Sequence, residues 1–197
     1  VDWEDGIAIL PAGMGVQQYT TLTPSERLSL LQGLQRLEDD YDFLLIDTGA
    51  GVAGNVTGFA AVAREIMLVV TPEPTSIMDA YALVKTLSGR DPGLRFRLLV
   101  NICRDAEEGA SLFAKLSAIT GRFLEVSMDY AGCILHDEMV ADSVRRRVAH
   151  CRLYPNAKAS LGFRALAQHI TDEDPAQAAP LDQIDGRTQR RNHELST

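Results

Sequence analysis

The sequence predicts a doubly wound α/β fold with a mainly parallel sheet. Short apolar runs recur at Phe43–Ile46, Ile66–Val70 and Phe96–Val100, continuous rather than alternating, which is the pattern of strands covered on both faces. Between and after them lie stretches whose apolar residues repeat at the 3.6-residue helical period. Strand and helix alternating at this spacing imply crossover connections between parallel neighbours. The chain has 197 residues, 46% of them hydrophobic and 23% charged, an ordinary globular composition. At ~100–200 residues per domain, one domain with one sizeable core is expected.

Taken in order, Ile7-Ala8-Ile9-Leu10 is stopped by Pro11 and followed by Gly13 and Gly15, which suits a buried strand running into a loop. Thr23-Pro24-Ser25-Glu26 offers an N-cap threonine, a proline at the first helical position and a glutamate for a capping box. A helix over 24–39 follows, with Leu30, Leu31, Leu34 and Leu37 on one stripe. The run Phe43–Ile46 ends in Asp47 and then Thr48-Gly49-Ala50-Gly51. After the strand at 66–70, Pro72, Pro74, Thr75 and Ser76 lead into a helix marked by Ile77, Ala80, Tyr81 and Val84. The strand at 96–100 is followed by a helix marked by Leu112, Phe113, Leu116 and Ile119, then by short strands near 123–126 and 130–134. A helix carrying Val140, Ala141, Val144 and Val148 and a last one carrying Phe163, Leu166, Ala167 and Ile170 complete the domain, expected at residues 1–171. From 172 onward Asp172-Glu173-Asp174-Pro175 and a run poor in apolar residues predict a disordered acidic tail.

A net charge of -8 opposes a phosphate-tracking surface, so no nucleic-acid partner is expected. No apolar run reaches the ~20 residues of a membrane span and no signal-peptide layout is present, so a cytoplasmic location is expected. Cys103, Cys133 and Cys151 show neither disulfide nor zinc-knuckle spacing, and reduced thiols are the default. His136, His150, His169 and His193 form no metal-binding pair on one helical face. Residue 1 is valine, consistent with processing, an artificial boundary or a translated GTG start.

In an open parallel sheet, ligands sit beyond the carboxyl ends of the strands, which picks out Asp47, Thr71, Asn101 and Asp137. The run ending at Asp47 has the form of a Walker B strand, whose carboxylate holds Mg²⁺ directly or through water while the glycines allow close approach to a phosphate. The same pattern also suits a helix N-cap or an Asx-turn. Asp47-Thr48-Gly49 is moreover the triplet of aspartic proteases, in which two aspartates share a proton. That reading conflicts with the α/β alternation, with the single copy of the triplet and with the all-β architecture of those enzymes.

The stretch Tyr41-Asp42-Phe43-Leu44-Leu45-Ile46-Asp47-Thr48-Gly49-Ala50-Gly51 resembles the FlhG/FleN branch of the MinD/ParA ATPases. So does the run from Val69-Val70-Thr71-Pro72-Glu73-Pro74-Thr75-Ser76 through Asp79-Ala80-Tyr81 to Lys85, followed by Arg97-Leu98-Leu99-Val100-Asn101. Met128-Asp129-Tyr130-Ala131-Gly132, His136-Asp137-Glu138 and Leu153-Tyr154-Pro155-Asn156 extend the resemblance over roughly residues 7–170. It implies a P-loop NTPase fold of MinD type and a deviant Walker ATPase that dimerises around ATP and Mg²⁺ to control flagellar number or placement. The partners it implies are the SRP-type GTPase FlhF and flagellar switch or transcription-regulator proteins. Asp47 would be the Walker B/switch II carboxylate and Mg²⁺ ligand, directly or through water, with Gly49 and Gly51 as switch II glycines. Asn101 would read the adenine, and Asp137 would be the acidic position of the base-binding loop.

Two departures accompany this resemblance. The base-binding loop reads Ile134-Leu135-His136-Asp137, with Leu135 where the family usually has proline. No G-x-x-x-x-G-K-[ST] occurs in these 197 residues, whose lysines are Lys85, Lys115 and Lys158, all after the Asp47 run. Such a loop supplies the backbone cradle and the lysine for the phosphates. The expectation is therefore an N-terminally incomplete domain that does not hydrolyse ATP as this chain and has no catalytic residue of its own. A non-catalytic partner-binding module derived from the family and a chromosome-partitioning ParA/MinD-like ATPase are the alternatives. Arg145-Arg146-Arg147 with Arg152 reads as a solvated basic face, although it could also meet anionic lipid or a partner. The acidic tail argues against autonomous membrane binding.

Overall fold

The computed structural model describes residues 6–10, 25, 29, 32–34, 36, 40–48, 63 and 65–172. The chain divides into two compact units, Val1–Asp47 and Thr48–Thr197. In the first, Ser25, Ser29 and residues 32–34 are helical and Leu34 is buried, in keeping with the helix expected over 24–39. Leu30, Leu31 and Leu37 lie outside the described residues, as does the tail from 173.

The two strands expected in this first unit do not form among the described residues. Residues 41–48 enter no ladder, and Ile7–Leu10 contributes a single bridge at Ala8. Phe43, Leu44 and Leu45 are 54%, 54% and 86% exposed. A strand exists through its neighbours, because its backbone groups need a ladder and its apolar faces need covering layers. An apolar run without either stays irregular.

The second unit is built as expected of a doubly wound fold. Strands β1 (Glu65–Val70), β2 (Arg95–Cys103) and β3 (Met128–Leu135) form a sheet in the order β1-β2-β3. Both pairings are parallel, with Leu68 opposite Leu98 and Val100 opposite Cys133. Helix α1 (Pro74–Ser88) connects β1 to β2, and α2 (Ala106–Leu124) connects β2 to β3. After β3 come α3 (Met139–Arg146), the short α4 (His150–Leu153) and α5 (Lys158–Asp172).

The central strand explains the continuous apolar run. Phe96, Arg97, Leu98, Leu99 and Val100 are all buried, because successive side chains point to opposite faces and both faces are covered. One face packs Leu68, Val70, Phe96, Leu98 and Val100 against Ala80, Val84, Leu87, Leu112 and Leu116 of α1 and α2. On the other, Leu99, Ala131 and Ile134 meet Ala159 and Leu166 of α5. Arg97 interrupts the apolar run, and its Nε lies 2.7 Å from Oε1 of Glu65 on the adjacent strand. Burying a guanidinium is tolerable only with such a partner.

Helix ends follow local chemistry. Pro74 stands at the start of α1, where its missing N–H costs nothing. Asp105 caps α2 by accepting from the Glu108 N–H at 2.8 Å, and Glu108 reaches back to the Arg104 N–H at 2.8 Å, a reciprocal arrangement of the capping-box kind. The strand expected near 123–126 is replaced by the end of this helix. Phe123 and Leu124 complete its last turn, Glu125 turns left-handed at φ 57, and the Val126 N–H returns to the Thr120 carbonyl at 3.4 Å. Satisfying the last carbonyls won over the β-prone sequence.

A second difference concerns α3. Val140, Val144 and Val148 are 37%, 69% and 42% exposed, whereas Ser143 is buried. The period is helical, but α3 packs on α4 while α5 takes the sheet face, so the valine stripe is not core. Phe163 is also exposed, and α5 seats itself through Ala159, Ser160 and Leu166 instead.

Close approach of α2 to β3 depends on Gly109. A Cβ there would lie 2.8 Å from Cys133 Cβ and 2.8 Å from the Tyr130 hydroxyl. Gly121 of the same helix has only the Val126 carbonyl, 4.0 Å away. Gly109→Ala is expected to destabilise the fold by about 1–3 kcal/mol through overpacking, and Gly121→Ala to be neutral or to stabilise it by up to ~1 kcal/mol. Urea unfolding of both variants checks the contrast.

Candidate functional site

Because all three strands run parallel, their carboxyl ends meet along one edge of the sheet, where ligands bind in open α/β folds. Thr71 follows β1, and its N–H donates to Ser76 Oγ at 3.0 Å, turning the chain into α1. Asn101 lies near the end of β2, half-buried, opposite Ile134. His136 and Asp137 follow β3.

The end of β2 is irregular. The ladder with β3 shifts register between Asn101 and Cys103, leaving Ile102 as the extra residue of a bulge. Ile102 has φ 60 and is 51% exposed. For a β-branched residue this left-handed backbone is strained by ~1–3 kcal/mol, a condition concentrated at ligand sites. Glu125 and Arg147 also have positive φ, but they terminate α2 and α3, where such geometry is routine. The Ile102 conformation is held by two bonds. Asn101 Oδ1 accepts from the Ile102 N–H at 2.9 Å, and the His136 N–H donates to the Cys103 carbonyl at 2.7 Å. The second bond joins the end of β2 to the loop after β3, so the regions of Asn101 and Asp137 are brought together.

Asp137 is engaged within the protein. Its carboxylate is 7% exposed. One oxygen accepts from the Met139 N–H at 3.0 Å and the other from the Ala159 N–H at 3.1 Å. The first belongs to the start of α3 and the second to the first turn of α5, so one side chain pins together two helix N-termini that are far apart in sequence. A carboxylate suits this position because helix N-termini leave N–H groups unpaired and carry positive potential. The Ala159 N–H is the main cause that holds the Asp137 carboxyl below the usual range, against the opposing effect of burial, with help from the Met139 N–H and the charges of His150 and Lys158. His150 Nε2 lies 3.7 Å from Asp137 Oδ2, and both its ring nitrogens are buried without a hydrogen-bond partner. A second carboxylate, Asp142, accepts from the Tyr154 hydroxyl at 2.5 Å and pairs with Arg146 at 2.7 Å. The Tyr154 hydroxyl is the leading cause that lowers the Asp142 pKa. Ser160 Oγ in turn donates to the Tyr154 carbonyl at 2.7 Å.

These contacts were not visible in the sequence. Tyr154 carries family resemblance, but neither periodicity nor spacing linked it to Asp142 or set Asp137 against Ala159. The remaining residues expected at the site divide differently. Asp47 is exposed in the first unit, and Gly49 and Gly51 lie outside the described residues. Among the described residues no cluster of three or more His, Cys, Asp or Glu side chains forms a metal site. Cys103 is buried, and burial pushes its thiol up to about 11, so it is a core residue with little thiolate.

No family model matches the chain. It is 44% identical over 176 residues to the antiactivator FleN of Pseudomonas aeruginosa, covering 89% of this chain and 62% of FleN. It is 25% identical over 154 residues to the flagellum site-determining protein YlxH of Helicobacter pylori, covering 78% of this chain and 52% of YlxH. The chain thus spans less than two thirds of the length of these relatives. A chain of the MinC:MinD cell division protein complex of Aquifex aeolicus superposes with a TM-score of 0.58 at 22% identity, over 75% of this chain and 59% of that one. That likeness establishes the fold.

The carboxylate clamp generates a pH prediction. Because the folded-state pKa of Asp137 is depressed, its stabilisation is complete above the unfolded value of about 3.9 and is lost as pH falls through the folded value. Asp137→Asn is expected to cost about 1–3 kcal/mol at pH 7, with the deficit relative to wild type shrinking steadily below about pH 4. Urea unfolding at pH 7 and pH 3 measures it, and a deficit independent of pH would contradict the clamp.

Proposed function

The chain belongs to the FlhG/FleN branch of the MinD/ParA family, and from that membership we propose that it serves a MinD-like, nucleotide-switched regulator of flagellar number and placement. Its contribution is the base-binding side of an ATP site. The observation that carries this reading is the strained Asn101-Ile102 bulge at the carboxyl end of the central strand, tied to the loop after β3 through the Cys103 carbonyl. Strain of this kind persists only where the surroundings over-determine it, and a strand end at the ligand edge of an open sheet is such a place.

Within this reading Asn101 contacts the adenine, and Asp137 maintains the shape of the base-binding loop. Asp47 supplies the Mg²⁺ carboxylate, directly or through water, with Gly49 and Gly51 as the switch II glycines. The nucleotide in turn controls a homodimer and the docking of the SRP-type GTPase FlhF and of flagellar switch or transcription-regulator proteins. The setting is the cytoplasm. None of the described helices is long and apolar enough to cross a membrane.

This 197-residue polypeptide by itself does not turn over ATP. It contains no phosphate loop of the form G-x-x-x-x-G-K-[ST], and its three lysines all follow Asp47. Each such component of phosphoryl transfer contributes orders of magnitude in rate. Purified polypeptide is expected to show no phosphate release above buffer in a coupled assay with ATP and Mg²⁺. Clear turnover that disappears in Asp47→Ala would contradict this reading and indicate a complete catalytic site.

A further inference from the structure

We propose that residues 138–157, which carry α3 and α4, form a flap that lifts as one unit while the sheet and α5 stay folded. Tyr154 is its latch, and the buried His150 is the group that favours release.

The base of the flap is closed without the flap. Asp137 Oδ2 accepts from the Ala159 N–H at 3.1 Å, so the end of β3 and the start of α5 are joined whatever the chain between them does. Helix α5 is seated on the sheet by its own contacts. Ala159 and Leu166 pack on Leu99, Ala131 and Ile134, and Gly162 approaches β3 so closely that a Cβ there would stand 2.9 Å from Ile134 Cδ1. The flap adds nothing to this core. Between Glu138 and Ala157, all within the described residues, no apolar residue is buried and none belongs to either apolar cluster. Lifting the flap therefore forfeits little of the hydrophobic free energy that binds the rest of the unit together.

Tyr154 holds the flap from both ends of the residue. Its hydroxyl donates to Asp142 on α3, and its carbonyl accepts from Ser160 Oγ on α5 at 2.7 Å. Arg164 of α5 adds a bond to the Pro155 carbonyl at 2.6 Å. His150 acts in the opposite sense. Its side chain is 8% exposed and its ring lies 5.7 Å from that of Tyr154, and neither ring nitrogen has a hydrogen-bond partner among the described residues. Asp137 Oδ2 is 3.7 Å from Nε2, too far for a hydrogen bond, and already serves the Ala159 N–H. Buried polar groups left unpaired favour the state in which water reaches them, and lifting the flap hydrates both nitrogens.

Native-state hydrogen exchange of the full ¹⁵N-labelled chain tests the proposal. The amides of Arg147, Val148, Arg152, Leu153 and Tyr154 all bond within the flap. They are expected to share one protection factor, roughly a hundredfold or more below that of Leu98–Val100 in β2. Low urea is expected to accelerate the β2 amides steeply and the five flap amides only slightly, because opening exposes little surface. Tyr154→Phe is expected to accelerate the five flap amides together by about three- to tenfold, and His150→Leu to slow them together by a similar factor. Protection and urea dependence equal to those of β2 would overturn the proposal, since the flap would then open only with the whole unit. Protection that differs from amide to amide, as in fraying, would overturn it as well. Exchange unchanged in Tyr154→Phe would overturn the latch, and faster exchange in His150→Leu would overturn the role of His150.

Discussion

Strand β2 is enclosed on every side, and the rest of the second unit is arranged around that requirement. Its backbone groups pair with β1 along one edge and β3 along the other. Its side chains from Phe96 to Val100 are buried, against α1 and α2 on one face and against α5 on the other. A buried strand can leave no N–H or C=O unpaired without a cost of a few kcal/mol. Parallel neighbours meet this demand only with long crossovers, and here α1 and α2 provide them. The arrangement also sets Arg97 inside the sheet, where Glu65 of the neighbouring strand supplies the charge that burial demands.

The same parallelism brings the residues of the candidate site to one edge. Three strand ends arrive together, and the central one cannot close regularly because its ladder slips by one residue. Ile102 absorbs that slip in a left-handed backbone. Asn101 stays paired with Ile134 while its side-chain oxygen accepts from the Ile102 N–H and so stabilises the turn. Local strain and side-chain orientation are thus two aspects of one irregularity.

Beyond β3 the chain is held by carboxylates. Asp137 gathers the starts of α3 and α5, and Asp142 holds Tyr154, whose carbonyl receives Ser160. These contacts compensate for a segment with little apolar burial, since α3 exposes its valines and α4 adds no buried apolar residue to the core. An excursion fastened by polar bonds is specific in geometry, because each bond demands a direction as well as a distance.

The sequence by itself determined the alternation of strands and helices in the second unit, the residues that fill the core under α1 and α2, and the strand ends at which a site would be found. Those features are periodic or local, and a period of 2 or 3.6 is written directly in the order of residues. It also led to two strands in residues 7–10 and 43–46 that do not form among the described residues, because pairing requires a neighbour that an apolar run cannot specify. Only the tertiary structure decided that the valines of α3 face solvent, that Ile102 is the strained residue and that Asp137 is bound to Ala159. Each of these depends on where a loop brings distant segments together, and that path is set by the packing of the whole unit rather than by any local pattern.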